Sequence, residues 1–155
     1  MEAFREDHAV LGAGFSRLSQ RLRAQDIAGA IEVARRLDAE AGAHVAFEER
    51  HFYPALASLL GEAEVERMYA EHADGFDVVR TLIELAPGES PAAEARARML
   101  ARSQAMEVHI AECGELFEAM GRIPAAEQAQ LYAHLLALRR RAPRWAEVVG
   151  QRDSR

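Results

Sequence analysis

Apolar residues recur at intervals of three and four positions along almost the whole chain, a spacing typical of amphipathic α-helices. Val, Ile and Thr are sparse, whereas Ala, Leu, Glu and Arg dominate, and this composition favours helix over strand. Turn-forming residues divide the pattern at Gln25-Asp26, at Gly61, at 86–89 and between Gly121 and Pro124. We therefore predict helices over residues 3–24, 27–59, 62–86, 91–120 and 125–141.

Each of the first four predicted helices has a single apolar stripe, and the connections between them are short. Helices of this kind pack antiparallel to their neighbours and bury their stripes together. The stripe of the fourth helix, for example, contains Met99, Met106, His109, Cys113, Phe117 and Met120. The predicted fold is all-α: an up-down-up-down four-helix bundle with a short fifth C-terminal helix. No linker composition is visible, so we expect residues 1–155 to form a single domain.

Composition and charge exclude several classes of protein. The 155 residues are 50% hydrophobic and 28% charged, which fits neither a disordered chain nor a membrane protein. A net charge of -6 argues against binding to nucleic acid or to anionic membranes. The single cysteine, Cys113, allows no internal disulfide, and no signal segment opens the chain. We therefore expect a cytoplasmic protein without a nucleic-acid or membrane partner.

Histidine is the unusual residue of this sequence, because four of the six copies occupy core positions. They are distributed one per predicted helix: His8, His44, His72 and His109. In an antiparallel bundle these four positions lie within about one helical turn of the same height, or about 6 Å. Buried imidazoles so close together would lack hydrogen-bonding partners unless they shared a cation. The pattern therefore predicts a transition-metal site in the bundle core.

Two further side chains follow these histidines at a spacing of four residues. Glu48 follows His44, and Cys113 follows His109, so each pair lies on one helix face. A carboxylate on an apolar stripe is costly unless it pairs or binds a metal. Glu49 lies far from this face on a helical wheel and is predicted to be solvated.

These motifs together resemble the hemerythrin-like, HHE cation-binding domain family, over about residues 3 to 140. The resemblance rests on four matching segments: Asp7-His8, HVAFEERHFYPAL from His44, Glu71-His72, and His109-Ile110 with Leu116-Phe117. It implies a non-haem di-iron centre in which His8, His44, His72 and His109 are terminal ligands and Glu48 bridges the two metals.

The chain departs from the family pattern where a second bridging carboxylate is expected, because that position is Cys113. Oxygen-carrying hemerythrins have an Asp at position 114, which is Gly here. They also have a second histidine four residues from the one that matches His72, where this chain has Met68 and Phe76. Reversible oxygen carriage is therefore not the preferred interpretation.

Three interpretations of Cys113 remain open at this stage. The thiol is a metal ligand, and imidazole, thiolate and carboxylate together suit iron or zinc. Alternatively, Glu112 turns inward as the missing carboxylate. In the third interpretation, Cys113 is a small core residue and the site is mononuclear or defective.

Three functions are consistent with such a centre. The first is a metalloprotein that binds or senses O2, NO or peroxide, or that handles metal. The second is a redox enzyme that activates oxygen or removes peroxide, and the third is a bundle with a purely structural metal. Iron, dinuclear or mononuclear, is the expected cofactor, with zinc as the alternative. The remaining histidines, His51 and His134, and Tyr69 are predicted to pack outside the site.

Overall fold

The computed structural model describes residues 2–116 and 119–151, and within these ranges the chain is helical and contains no strand. The all-α prediction is therefore confirmed. The elements in chain order are α1 (Glu2–Arg23), α2 (Ile27–Phe47), a π-helical turn (Glu48–Phe52), α3 (Tyr53–Leu60), α4 (Glu62–Glu84), α5 (Ala93–Leu116), a 3-10 turn (Ala119–Arg122), α6 (Ala125–Arg141) and α7 (Trp145–Gly150).

Four of these helices form the predicted bundle. α1 packs against α2 and α5, and α4 packs against the same two helices on the opposite side. The apolar stripes meet inside this ring, where Phe15, Leu37 and Leu82 are fully buried. Of the stripe predicted for the fourth helix, Phe117 lies outside the described residues. No helix in the described part of the chain is long and apolar enough to cross a membrane.

The second predicted helix ends where expected but is not uniform. It begins after Asp26, whose carboxylate accepts a hydrogen bond of 2.9 Å from the backbone N–H of Gly29. It ends at Gly61, which has a φ of 86°, a left-handed conformation that favours glycine. Between them the chain widens into the π-helical turn, in which the N–H of Tyr53 donates to the carbonyl of Glu48. Pro54 is tolerated because it lies in the first turn of α3.

The C-terminal helix α7 was not predicted, and it packs against α2 and α4. Its first residue, Trp145, is fully buried. Gly42 of α2 makes this approach possible, because a Cβ atom there would collide with the backbone of Pro143. The fifth helix of the prediction corresponds to α6 with the same bounds, 125–141.

Candidate metal centre

The structure brings the six predicted site residues together in the middle of the bundle. α1 supplies His8, α2 supplies His44, the π-helical turn supplies Glu48, α4 supplies His72, and α5 supplies His109 and Cys113. All six side chains are buried. The four histidines were inferred from the sequence to lie at one height in the bundle. In the structure they lie in one cluster, to which all four helices contribute.

Glu48 lies at the centre of this cluster, and its two carboxylate oxygens face opposite sides. Oε1 lies 3.2 Å from Nε2 of His44 and 3.7 Å from Nε2 of His8. Oε2 lies 3.2 Å from Nε2 of His72. Glu48 therefore faces histidines on both sides through different oxygens.

The possible ligand atoms fall into two groups that share Glu48. The first group contains His8, His44 and Glu48, and the second contains Glu48, His109 and Cys113; within each group the ligand atoms lie within 4.8 Å of one another. His72 adjoins the second group, since its Nε2 lies 3.0 Å from Nε2 of His109. We call these groups the first and the second half-site.

Hydrogen bonds at the outward-facing nitrogen fix the ring orientation of His8, His72 and His109. Nδ1 of His8 donates to the carbonyl of Phe4 at 2.9 Å. The other three Nδ1 atoms face carboxylates: Glu49 at 2.9 Å from His72, Glu71 at 2.7 Å from His109, and Asp7 at 3.6 Å from His44. Histidines that bind metals characteristically donate from the other ring nitrogen to such partners.

With Nδ1 as the donor, Nε2 of His8, His72 and His109 each presents a lone pair to the cluster interior. Nε2 of His72 and Nε2 of His109 then face each other at 3.0 Å as two acceptors. Among the described residues, Nε2 of His8 and Oε1 of Glu48 have no hydrogen-bond partner although both are buried. Several buried lone pairs that face one another without a hydrogen-bond donor are unfavourable. Bound cations would satisfy them, so these nitrogen, oxygen and sulfur atoms fit a metal centre.

The pKa shifts of the residues in the cluster also favour metal binding. Burial and His44 lower the pKa of His8, and burial and His72 lower the pKa of His109, so both rings are neutral. Burial opposes ionisation of Glu48, but the neighbouring imidazoles outweigh it and hold the pKa of Glu48 well below its ordinary value. Burial also opposes charging of His44, yet nearby carboxylates, first Glu48, raise the pKa of His44 to about 9. A metal at His44 would therefore displace a proton.

A comparison with known protein families agrees with this geometry. The family model for the hemerythrin HHE cation binding domain matches residues 1–120. The chain belongs to this family. No curated protein and no solved structure matches the chain. Membership and the buried cluster of histidines and Glu48 together support a metal-binding protein.

In this HHE domain, the phenol of Tyr53 lies beside the second half-site. Sequence reasoning missed this residue. The Tyr53 hydroxyl lies 3.1 Å from Nε2 of His72, 3.3 Å from Nε2 of His109 and 3.7 Å from Sγ of Cys113. In a regular α-helix Tyr53 would lie about 140° from Glu48 on the wheel. The π-helical turn returns it to the same face, and a π turn has no reliable sequence signal.

The prediction that Glu49 is solvated is wrong. Its side chain is buried, and its carboxylate accepts from Nδ1 of His72 at 2.9 Å. The wider π-helical turn explains the difference, because it brings Glu48 and Glu49 to the same interior region. Glu49 therefore orients a proposed ligand instead of facing solvent.

The inward-turning alternative for Glu112 does not agree with the structure. Its side chain is exposed, and its carboxylate pairs with Arg67 at 3.0 Å. Cys113, in contrast, is fully buried and lies 3.6 Å from Nε2 of His109. Burial and the Glu48 carboxylate raise the pKa of Cys113, so its thiol is protonated unless a cation binds.

The remaining candidates pack outside the cluster, as predicted. The rings of His51 and His134 stack on each other with centroids 3.9 Å apart and an interplanar angle of 4°. Tyr69 donates to the backbone carbonyl of Glu49 at 2.7 Å.

A small cavity of about 10 Å³ adjoins the site and has room for about one water-sized molecule. One wall consists of the four histidines and Glu48. The rest is mostly apolar and includes Leu11, Phe15, Met106, Ile110 and Trp145. Cys113 and Tyr53 do not line this cavity, so the thiol and the phenol lie away from it.

Proposed function

We propose that this protein holds a dinuclear iron centre and uses it to bind or sense O2, NO or peroxide. The observation that supports this function is the cavity of about 10 Å³, whose wall contains proposed ligands of both half-sites. A purely structural metal is normally enclosed by protein ligands on all sides, whereas a reactive one keeps an open position. The side of this cavity lined by Leu11, Phe15 and Ile110 offers no metal ligand, so it leaves a coordination position open there.

In the proposed centre, His8 and His44 would hold the metal of the first half-site. His72, His109 and Cys113 would hold the metal of the second, and Glu48 would contribute its carboxylate to both. Glu49 and Glu71 accept from His72 and His109 and so fix which ring nitrogen faces the metal. The thiol of Cys113 takes the place of the family's second carboxylate and loses its proton when the metal binds.

The residues around the cavity determine what can approach the centre. Its volume admits a diatomic molecule or peroxide more readily than any larger substrate. Leu11, Phe15 and Ile110 present hydrocarbon to the open side, which disfavours bulk water and charged solutes. Iron supplies the redox chemistry and the affinity for small oxygen and nitrogen ligands, while these side chains restrict access by size and polarity.

Replacing His44 or His109 by alanine is expected to remove most of the bound metal, because each change deletes a ligand in the middle of the bundle. Elemental analysis of the purified variants measures this loss. The matched control is His134→Ala, since His134 is exposed and stacks only on His51 among the rings described. Unchanged metal content in both core variants would contradict the proposed ligands.

The metal identity is tested on the parent protein. We expect stoichiometric iron and a visible absorption under air that changes when dithionite is added. A colourless protein with stoichiometric zinc would instead favour the structural-metal interpretation and would contradict the proposed function.

Chelation is expected to lower the melting temperature without abolishing the helical circular dichroism signal. A metal that binds only the folded state at a hundredfold excess over Kd adds about 2.7 kcal/mol. For a domain of this size that corresponds to roughly 5–10 °C. The helices persist because their apolar stripes remain buried. Identical melting curves for loaded and chelated protein would show that no metal is bound in the core.

A further inference from the structure

Trp145 connects the C-terminal helix α7 to the proposed centre. It is the first residue of α7, is fully buried and lines the cavity beside the histidines. Its ring centroid lies 6.5 Å from that of His72. Residue 145 lies beyond residues 1–120, which the family model matches. The cavity wall thus includes a side chain from outside the matched domain.

The indole of Trp145 contains a buried donor without an acceptor. Its Nε1 has no hydrogen-bond partner in the part of the chain that the structure describes. Its ring also packs against the rings of Phe15 and Phe76, with centroids 6.2 Å and 5.7 Å away. Buried indole N–H groups normally find a partner, because leaving one unsatisfied is unfavourable. Because Trp145 lines the cavity, a molecule held there is the acceptor that this proposal assigns to the indole N–H.

The position of Trp145 is fixed by contacts on both sides of it. Asp38 of α2 accepts from the backbone N–H of Ala146 at 2.9 Å and pairs with Arg144 at 2.8 Å. The backbone around Pro143 lies directly against Gly42. A donor held this firmly loses little conformational freedom when it bonds to a ligand.

We propose that the indole N–H of Trp145 donates a hydrogen bond to the ligand in the cavity and thereby sets its affinity and residence time. The ligand class is a diatomic molecule or peroxide with an oxygen or nitrogen atom that accepts this hydrogen bond while the ligand is bound. This inference rests on the proposed function, and it makes α7 a determinant of ligand specificity instead of a simple cover over the bundle.

The test uses the full-length, iron-loaded, reduced protein with nitric oxide as the probe. Trp145→Phe keeps an aromatic ring but removes the donor, so the dissociation rate of nitric oxide should rise roughly tenfold or more. Phe15→Leu is the matched control, because it changes an apolar residue of the same cavity wall without removing a donor. Its dissociation rate should change by less than about threefold. Iron content and helical signal should match the parent in both variants.

A second measurement requires no substitution. Trp145 is the single tryptophan of the chain, so its N–H vibration can be observed without overlap from another indole. Binding of nitric oxide should lower the N–H stretching frequency, since the donor gains an acceptor. An unchanged frequency, or Trp145→Phe dissociating nitric oxide at the parental rate, would overturn the inference. The same applies if Phe15→Leu accelerates dissociation as much as Trp145→Phe does.

These outcomes separate this inference from the proposed function. If the parent protein binds iron and nitric oxide but the tests of Trp145 fail, only the role of the indole is wrong. If the parent binds iron but no nitric oxide, the cavity takes no ligand and both the inference and the ligand-binding function are wrong. If it binds no iron, the centre itself is misassigned.

Discussion

Glutamine in place of Glu48 is expected to empty both halves of the metal centre. Glu48 is the one residue that both half-sites share, and its two oxygens face different histidines at 3.2 Å. An amide keeps the shape but loses the negative charge and presents NH2 on one side, so it cannot bridge two cations. Loss of an outer hydrogen-bond partner already weakens metal binding about 10- to 100-fold. Loss of the shared carboxylate should weaken metal binding by more than this range of about 10- to 100-fold.

Two other glutamates provide graded controls for this experiment. Glu112→Gln should leave the metal content unchanged, because Glu112 is exposed and pairs with Arg67. Glu49→Gln should weaken binding about 10- to 100-fold, since the Glu49 carboxylate accepts from the outer nitrogen of His72 and lies outside the proposed ligand set. Parental metal content in Glu48→Gln, or a loss as large in Glu112→Gln, would contradict the bridging role. Titration with ferrous iron and elemental analysis provide the measurement.

Cys113→Ser is expected to affect one half of the centre. Serine preserves the size of the side chain, but its hydroxyl does not deprotonate as a thiol does when it meets a metal. The metal held by His72 and His109 should therefore bind at least tenfold more weakly. Loss of a residue that only hydrogen-bonds to a ligand already weakens metal binding by about this factor. The metal held by His8 and His44 should be retained. Any sulfur-to-iron charge-transfer absorption should disappear from the visible spectrum.

Cys113→Glu is the complementary variant, because it restores a carboxylate at the position where the family places one. We expect it to bind two iron ions without the sulfur-dependent absorption. If the serine variant keeps both metals and the parental spectrum, Cys113 is core packing and the second half-site is completed by another group. Tyr53, with its hydroxyl 3.7 Å from Sγ of Cys113, would then be the nearest candidate.

The sequence was sufficient for the all-α bundle, and it predicted six residues that the structure brings together; that these residues bind metal stays a prediction. Helical periodicity identifies which positions face the core, and a rise of about 1.5 Å per residue places His8, His44, His72 and His109 at one height. Both inferences depend only on regular helix geometry, so they survive in any antiparallel arrangement of the four helices. The pairs at a spacing of four residues followed from the same geometry.

The errors and omissions occur where the helix is not regular or where contacts are distant in sequence. The π-helical turn at Glu48–Phe52 moves Glu49 inward and brings Tyr53 to the second half-site. Its wider hydrogen-bonding pattern contradicts the 3.6-residue periodicity used to place side chains. Trp145 reaches the cavity through docking at Asp38, 107 positions away in sequence, and periodicity has no information on such contacts.

In the proposed dinuclear centre, one buried carboxylate and one thiol share the two metals with four histidines. A crystal structure of the iron-loaded protein, with anomalous scattering measured at the iron edge, tests it most directly. We expect two anomalous peaks, one on each side of Glu48, with a sulfur of Cys113 about 2.3 Å from the second metal. A single peak bound without Glu48, or a sulfur more than about 4 Å from any metal, far beyond that bonding distance, would contradict the account.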